Sequence, residues 1–265
     1  MAKIPTGIPT PTIGSALQSQ FVAGQNLKFV NPVSAAQIAW WRGRFGAQGP
    51  LPASISYALS RNVDLPISYE VDIRDDHRVE VRISLISSDQ AGTVLEAERS
   101  ILFSKDALNL NFMEVRADFR GRGIGFQLVA NCYDLAKDLR LRRLTVTAVD
   151  DGSYMWAKAG FVPFRRVWNE TSLKDIIAQK LHLIPGIDWA IRNEVYAALG
   201  SDDPHSIYIL VGMRDPVLST AMPGTMVPLG RALLAESGAT WAGSLDFNDR
   251  LANLRARSQL PIASR

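Results

Sequence analysis

The sequence predicts an α+β fold: a mixed, mostly antiparallel sheet flanked by helices, with helical additions at both ends. Three observations predict it. Apolar residues recur at every second position from Ile67 towards Val115, then at 3.6-residue spacing from about Gly123 to Leu141, and strand and helix signals alternate from there to Val167. The 265 residues are 47 % hydrophobic and 21 % charged, the balance of a globular protein with a core. No apolar run approaches the ~20 residues that cross a bilayer.

The elements follow in order. MAKIPTGIPTPTIGSAL has one lysine and three prolines but no apolar h-region, so residues 1–20 read as a flexible tail and not a secretory signal. Residues 21–66 form an N-terminal helical part. SAAQIAWWRGRF is a short helix with Ser34 as N-cap and Ile38, Trp41 and Phe45 on one side. Trp40 and Trp41 beside Arg42 and Arg44 admit an aromatic-basic surface, but helical packing with solvated arginines accounts for them better. The loop GAQGPLP ends this segment.

The core spans 67–215. Val71 and Ile73 alternate with Glu70, Asp72 and Arg74, a turn follows at Asp75-Asp76-His77, and Val79, Val81, Ile83 and Leu85 alternate on the return, which is a half-buried hairpin. Gly92 to Phe103 and Ala107 to Val115 continue as strands. Strict alternation in the latter puts Leu108, Leu110 and Phe112 on one face and Asn109, Asn111, Met113 and Val115 on the other. Two asparagines in a strand are unfavourable unless something polar needs them. Ile124, Leu128, Cys132, Leu135 and Leu139 mark the buried stripe of the long helix. Then come a strand (144–149), a short helix (151–159), a strand (161–167), helices over 172–183 and 187–199, and an apolar strand, SIYILVG, at 206–212. The extension 216–265 carries a Pro-Gly turn, a helix around Leu229–Glu236 and a polar helix from about Asn248.

Cys132 is the only cysteine, so no internal disulfide or thiolate-rich metal site forms, and its place on the apolar stripe makes it core. His77, His182 and His205 show no metal spacing, and no metal is expected. A reduced, cytoplasmic setting fits, which makes the Asn169-Glu170-Thr171 sequon accidental. Net charge is +3 but uneven: between Arg116 and Arg143 seven Arg/Lys face three Asp, which suggests an anionic partner or a solvated helix face.

That basic stretch contains FRGRGIG, Phe119 to Gly125, between a strand and a helix. Such a turn leaves the first helical N–H groups unpaired and adds the positive end of the dipole. Gly121, Gly123 and Gly125 let a phosphate approach without meeting a Cβ, and Arg120 and Arg122 supply charge. The physical reading is a diphosphate cradle. It is not a Walker A loop, because Phe126-Gln127 follows Gly125 where Lys-Ser/Thr is required. A Rossmann G-x-G-x-x-G counted from Gly121 ends on Phe126, so only a degenerate version with Asp150 remains. A disordered Arg-Gly tail conflicts with the strong flanking patterns.

Arg120, Gly123 and Gly125 instead satisfy Arg/Gln-x-x-Gly-x-Gly/Ala, and MEVRADFRGRGIGFQL resembles the acetyl-CoA motif of the GCN5-related N-acetyltransferase (GNAT) superfamily. YMWAKAGFVPF, one strand and one helix later, resembles that family's second motif. The resemblance covers about Ala107 to Phe164. It implies coenzyme A held at its pyrophosphate by backbone N–H groups of Gly121 to Gly125, Ile124 included. It also implies pantetheine added along the edge at Met113 to Val115, with that strand splayed from 144–149 and a polarised N–H near Val115 facing the thioester oxygen.

The tyrosine that protonates the thiolate in this family stands four residues before the Gly of Gly-Phe, where this chain has Trp156. Tyr154 lies two residues earlier, about 200° around a helix. Candidate bases are Glu114, Asp150 and Asp151, the last two also suited to turn and N-cap roles. Asn111 orients substrate or a water, or is simply an edge polar residue. Parity sets Glu114 on the face opposite the asparagines unless a bulge shifts the register. Trp156 is either core packing or a wall of the acyl slot, with Met113 another wall. The expected function is transfer of an acetyl or other acyl group from coenzyme A to an amine. A non-catalytic acyl-CoA-binding or sensing module is the alternative, and a basic nucleic-acid-binding domain a distant third. A homodimer is compatible with these readings, and no membrane is involved.

Overall fold

The computed structural model describes residues 26–46, 48–74 and 80–262. The tail expected at 1–20 and the turn at Asp75-Asp76-His77 lie outside them. Ten helices and ten strands alternate along the rest. In chain order they are β1 (Leu27–Phe29), α1 (Ala35–Phe45), α2 (Pro52–Ser60), β2 (Ser68–Ile73), β3 (Val81–Asp89), β4 (Gly92–Leu102) and β5 (Ala107–Val115). Then follow α3 (Ile124–Asp138), β6 (Arg143–Ala148), α4 (Asp151–Lys158), β7 (Val162–Pro163), α5 (Arg165–Glu170), α6 (Leu173–Leu183) and α7 (Trp189–Gly200). The last are α8 (Ile207–Gly212), β8 (Pro216–Leu218), β9 (Met226–Pro228), α9 (Leu229–Leu234), β10 (Trp241–Asp246) and α10 (Arg250–Gln259).

Eight strands form one sheet in the order β1-β2-β3-β4-β5-β6-β10-β7, and β8 pairs with β9 separately. Only β1–β2 and β5–β6 are parallel; the other neighbours run antiparallel, so the sheet is mixed and mostly antiparallel. The alternation read from the sequence produces one buried face. Val81, Ile83 and Leu85 of β3 are fully buried, in register with Ile101, Arg99 and Ala97 of β4. α3 packs on that face with Leu128, Val129, Cys132 and Ala136. α2 lies alongside, joined to α3 where Asn131 Nδ2 donates to the Leu59 and Arg61 carbonyls at 3.2 and 2.7 Å. Ser34 caps α1 in a reciprocal box with Gln37, as the sequence signal requires.

Several elements differ from expectation. SIYILVG is not a strand but α8: Ile207, Leu210 and Val211 are buried at i, i+3, i+4 spacing, and an apolar run this short has no periodicity that separates strand from helix. The strand expected over 161–167 stops at Pro163, which lacks an N–H and sits on the sheet's edge; α5 begins two residues later around the buried Trp168. α2, with Pro52 in its first turn and Ile55, Ser56 and Leu59 buried, carried no strong sequence signal.

β10 comes from the stretch 216–265 yet lies between β6 and β7. Its residues Trp241, Gly243 and Leu245 face inward at period two. A Cβ on Gly243 would lie 2.2 Å from the Val162 carbonyl oxygen, so only glycine lets β7 pair there. Ser153 Oγ of α4 donates to the Ala239 carbonyl, tying α4 to the entry of β10. Among the described residues no helix is long and apolar enough to cross a membrane.

Candidate functional site

The site is built around a bulge in β5. Glu98 registers with Phe112 but Arg99 with Leu110, which leaves Asn111 as the extra residue. Strict alternation therefore fails beyond Leu110. Met113 and Val115 register with the buried Ala97 and Leu95, on the α3 face, together with Leu108 and Leu110. Phe112, 45 % exposed, and Glu114 turn to the other face, the one that Asn109 occupies. The bulge thus places Glu114 with the asparagines.

The asparagines belong to a chain of hydrogen bonds on that face. Thr145 Oγ1 donates to Asn109 Oδ1 at 2.9 Å, and Asn109 Nδ2 donates to Asn111 Oδ1 at 2.5 Å. Asn111 Nδ2 donates to Glu98 Oε1 at 2.5 Å and Ser100 Oγ at 2.8 Å. This chain spans β4, the bulge and β6, and fixes the bulged residue in place.

β5 and β6 register only from Ala107–Leu110 against Arg143–Val146. Beyond Leu110 the two strands part. Arg116 N–H donates to the Val94 carbonyl at 2.9 Å, so residues 116, 114 and 112 form the hydrogen-bonded pairs with β4. The N–H and C=O groups of Met113 and Val115 consequently point away from β4, to the unpaired edge. Arg120 Nε meets the Val115 carbonyl there at 2.8 Å.

The edge leads into the glycine turn. Gly121 and Gly123 have φ of +78° and +80°, left-handed values that favour glycine, and a Cβ on either would meet nothing within 4 Å. Space for a ligand therefore remains over the turn. Gly123 caps α3, whose hydrogen bonding begins with Gln127 N–H to the Gly123 carbonyl at 2.9 Å; the N–H groups of Ile124, Gly125 and Phe126 have no acceptor within the helix. A Cβ on Gly125 would stand 3.2 Å from Met113 Cε, so this glycine seats the first turn of α3 over the strand edge.

The arginines divide their roles. Arg116 forms a bidentate pair with Asp89 at 2.8 and 2.6 Å and also binds Asp118. Its hydrogen bonds hold the Asp89 carboxyl down to about 2. Arg116 is thereby neutralised. Arg122 stacks on Phe119 with its Cζ 4.5 Å from the ring centroid and donates to the Asp118 carbonyl at 3.0 Å. Among the described residues neither Arg120 nor Arg122 pairs with a carboxylate, which leaves their two positive charges without a direct ion pair at the turn. A cavity of about 410 Å³ opens beside it, lined by Asn62, Asp64, Phe119, Arg122, Gly123 and Gln127. The 62–65 segment carried no sequence signal for this placement.

α4 completes the surroundings. Lys158 Nζ lies 5.8 Å from the Tyr154 ring centroid and 5.9 Å from that of Phe126, so Tyr154 is on the side of α4 near the first turn of α3. Trp156, 8 % exposed, meets Phe161 edge-on at 5.3 Å and is core. Asp151 pairs with Arg231 at 3.0 Å. Asp150, at φ +48°, precedes the helix without a side-chain cap bond. Cys132 is buried, which pushes its thiol pKa up.

With this geometry in place, comparison with known proteins bears on residues 88–161, which match the acetyltransferase (GNAT) family. The match spans under half of the chain. No curated protein sequence matches. Solved structures similar to this chain include nourseothricin acetyltransferase, at 15 % identity and a TM-score of 0.28 over 34 % of this chain and 58 % of that one, and an acetyltransferase from Bacillus cereus ATCC 14579, at 16 % identity and a TM-score of 0.27 over 52 % and 84 %. The bulged strand, the glycine turn and α4 all fall inside the family match, which supports acyl transfer as the chemistry: residues 88–161 match the GNAT acetyltransferase family and lie within an α+β fold.

Proposed function

We propose that the protein moves an acyl group, acetyl in the simplest case, from coenzyme A to an amine. One observation carries the reading: the unpaired edge at Met113 and Val115 runs directly into a glycine turn with free space, helical N–H groups without an acceptor in the helix, and two arginines that pair with no carboxylate among the described residues. Pantetheine amides would pair with the edge, where Arg120 must release the Val115 carbonyl, and the pyrophosphate would sit against Gly121 to Gly125.

In the reaction the amine nitrogen attacks the thioester carbonyl carbon. Negative charge gathers on the carbonyl oxygen opposite the Met113 N–H. The C–S bond breaks, the coenzyme A thiolate takes a proton from Tyr154, and the proton lost by the nitrogen passes to Glu114 or a water held by Asn111. A second reading, binding of acyl-CoA without turnover, is favoured by Trp156, which occupies the usual tyrosine's place and is core.

Calorimetric titration with acetyl-CoA and with coenzyme A tests the proposal. Micromolar affinity, about −8 kcal/mol, is expected for the wild type and none for Gly123→Glu, which puts a carboxylate where the phosphate belongs. A folded wild type that binds neither ligand sinks both readings. Binding without acetylation of any amine in a panel leaves the second.

A further inference from the structure

We infer that Arg99 is a positioning residue for acyl transfer: its buried guanidinium grips the Phe112 carbonyl and thereby strengthens the Met113 N–H on the unpaired edge of β5. The inference rests on the reading above, in which a thioester lies along that edge.

Arg99 is 1 % exposed, on the α3 face of β4 between Ala97 and Ile101. Among the described residues it pairs with no carboxylate; its guanidinium meets two backbone carbonyls and the Cys132 thiol. Nη1 donates to the Glu98 carbonyl at 2.8 Å and to the Phe112 carbonyl at 2.6 Å, and Nη2 is buried without a hydrogen-bond partner among the described residues. Cys132 of α3 is next to it: burial raises that thiol's pKa, and the Arg99 charge opposes the rise. A guanidinium buried without a carboxylate is a poor device for stability, and a well-packed apolar side chain of similar volume does better. Its location suggests another use.

Glu98 and Phe112 face each other where the register breaks, and Nη1 collects both of their carbonyls. The peptide plane then transmits the effect. In the trans peptide between Phe112 and Met113 the carbonyl points to β4 and the N–H points the opposite way, to the open edge. A cation on that oxygen draws electron density through the amide and makes the N–H a stronger donor, with little screening in the core. A thioester oxygen gains most from such a donor as its negative charge develops.

Two readouts test this: the Met113 amide proton resonance in unliganded protein, and the infrared carbonyl stretch of bound ¹³C-labelled acetyl-CoA. The variants are Arg99→Met and Cys132→Asp; the second leaves the guanidinium in place but sets a carboxylate beside it, and it serves if the first does not fold. In either folded variant the Met113 amide proton is expected to move upfield. Acetyl-CoA should still bind within about tenfold of the wild-type affinity, while its carbonyl loses at least half of the red shift it shows on the wild type. Binding with an unmoved amide and an unmoved stretch overturns the inference alone. A wild type that does not bind acetyl-CoA overturns the acyl-transfer reading, and this inference with it.

Discussion

Glu114 and Tyr154 stand on different elements and carry opposite proton duties in the proposed reaction. Glu114→Gln is expected to lower kcat/KM by about 10²-fold near neutral pH, with the deficit shrinking at high pH where the amine is already neutral. Tyr154→Phe should lower kcat by about tenfold and leave acetyl-CoA binding unchanged. Release of coenzyme A thiol measures both, and a deficit for Glu114→Gln that stays constant with pH removes it as the base. The glycine turn was legible in the sequence because its requirement is local: left-handed φ and a helix start are written in adjacent residues. The face of Glu114 was not. It depends on a single inserted residue, Asn111, whose partners Glu98 and Ser100 lie on another strand. Alternation along β5 alone carries no trace of them.

At the scale of elements, His205 joins two. Nδ1 meets Asp203 Oδ1 at 2.8 Å before α8, and Nε2 meets Asp249 Oδ2 at 2.6 Å, while the other oxygen of Asp249 caps α10 by accepting from Ala252 N–H at 3.0 Å. Burial alone would lower the imidazole pKa, but the two carboxylates outweigh it and raise it above 6.5. The His205 contribution to stability is therefore full below the unfolded value of 6.5 and is lost as pH rises through the higher folded value. The melting temperature should fall over that interval, and His205→Gln should flatten the fall; identical pH profiles for the two proteins would remove the clamp. Spacing read from the sequence treated His205 only as a non-metal histidine, because its partners are two and 44 residues away. The same limit explains α8. Its helical identity is set by what it packs on, whereas α3 displays its buried stripe over 15 residues and was legible from it.

For the molecule as a whole, β10 determines whether the sheet is one body. Gly243→Val would drive a side chain into the Val162 carbonyl and separate β7 from the rest. Loss of cooperative melting, or amide exchange in β7 and α5 at least about 100-fold faster than in β3 and β4, is the expected outcome. Unchanged exchange throughout would show that β7 is dispensable. The C-terminal stretch reads as a turn and helices, with no strand among them, because a six-residue strand with one central glycine shows too little alternation by itself. Its insertion also constrains synthesis. When the ribosome has delivered everything through Leu234, β6 still exposes an unmatched ladder, and β7 has no neighbour to hold it. Both must wait for residues 241–246 to emerge before the gap is filled. The nascent chain is most open to wrong pairing, and most in need of a chaperone, in the interval just before its own missing strand arrives.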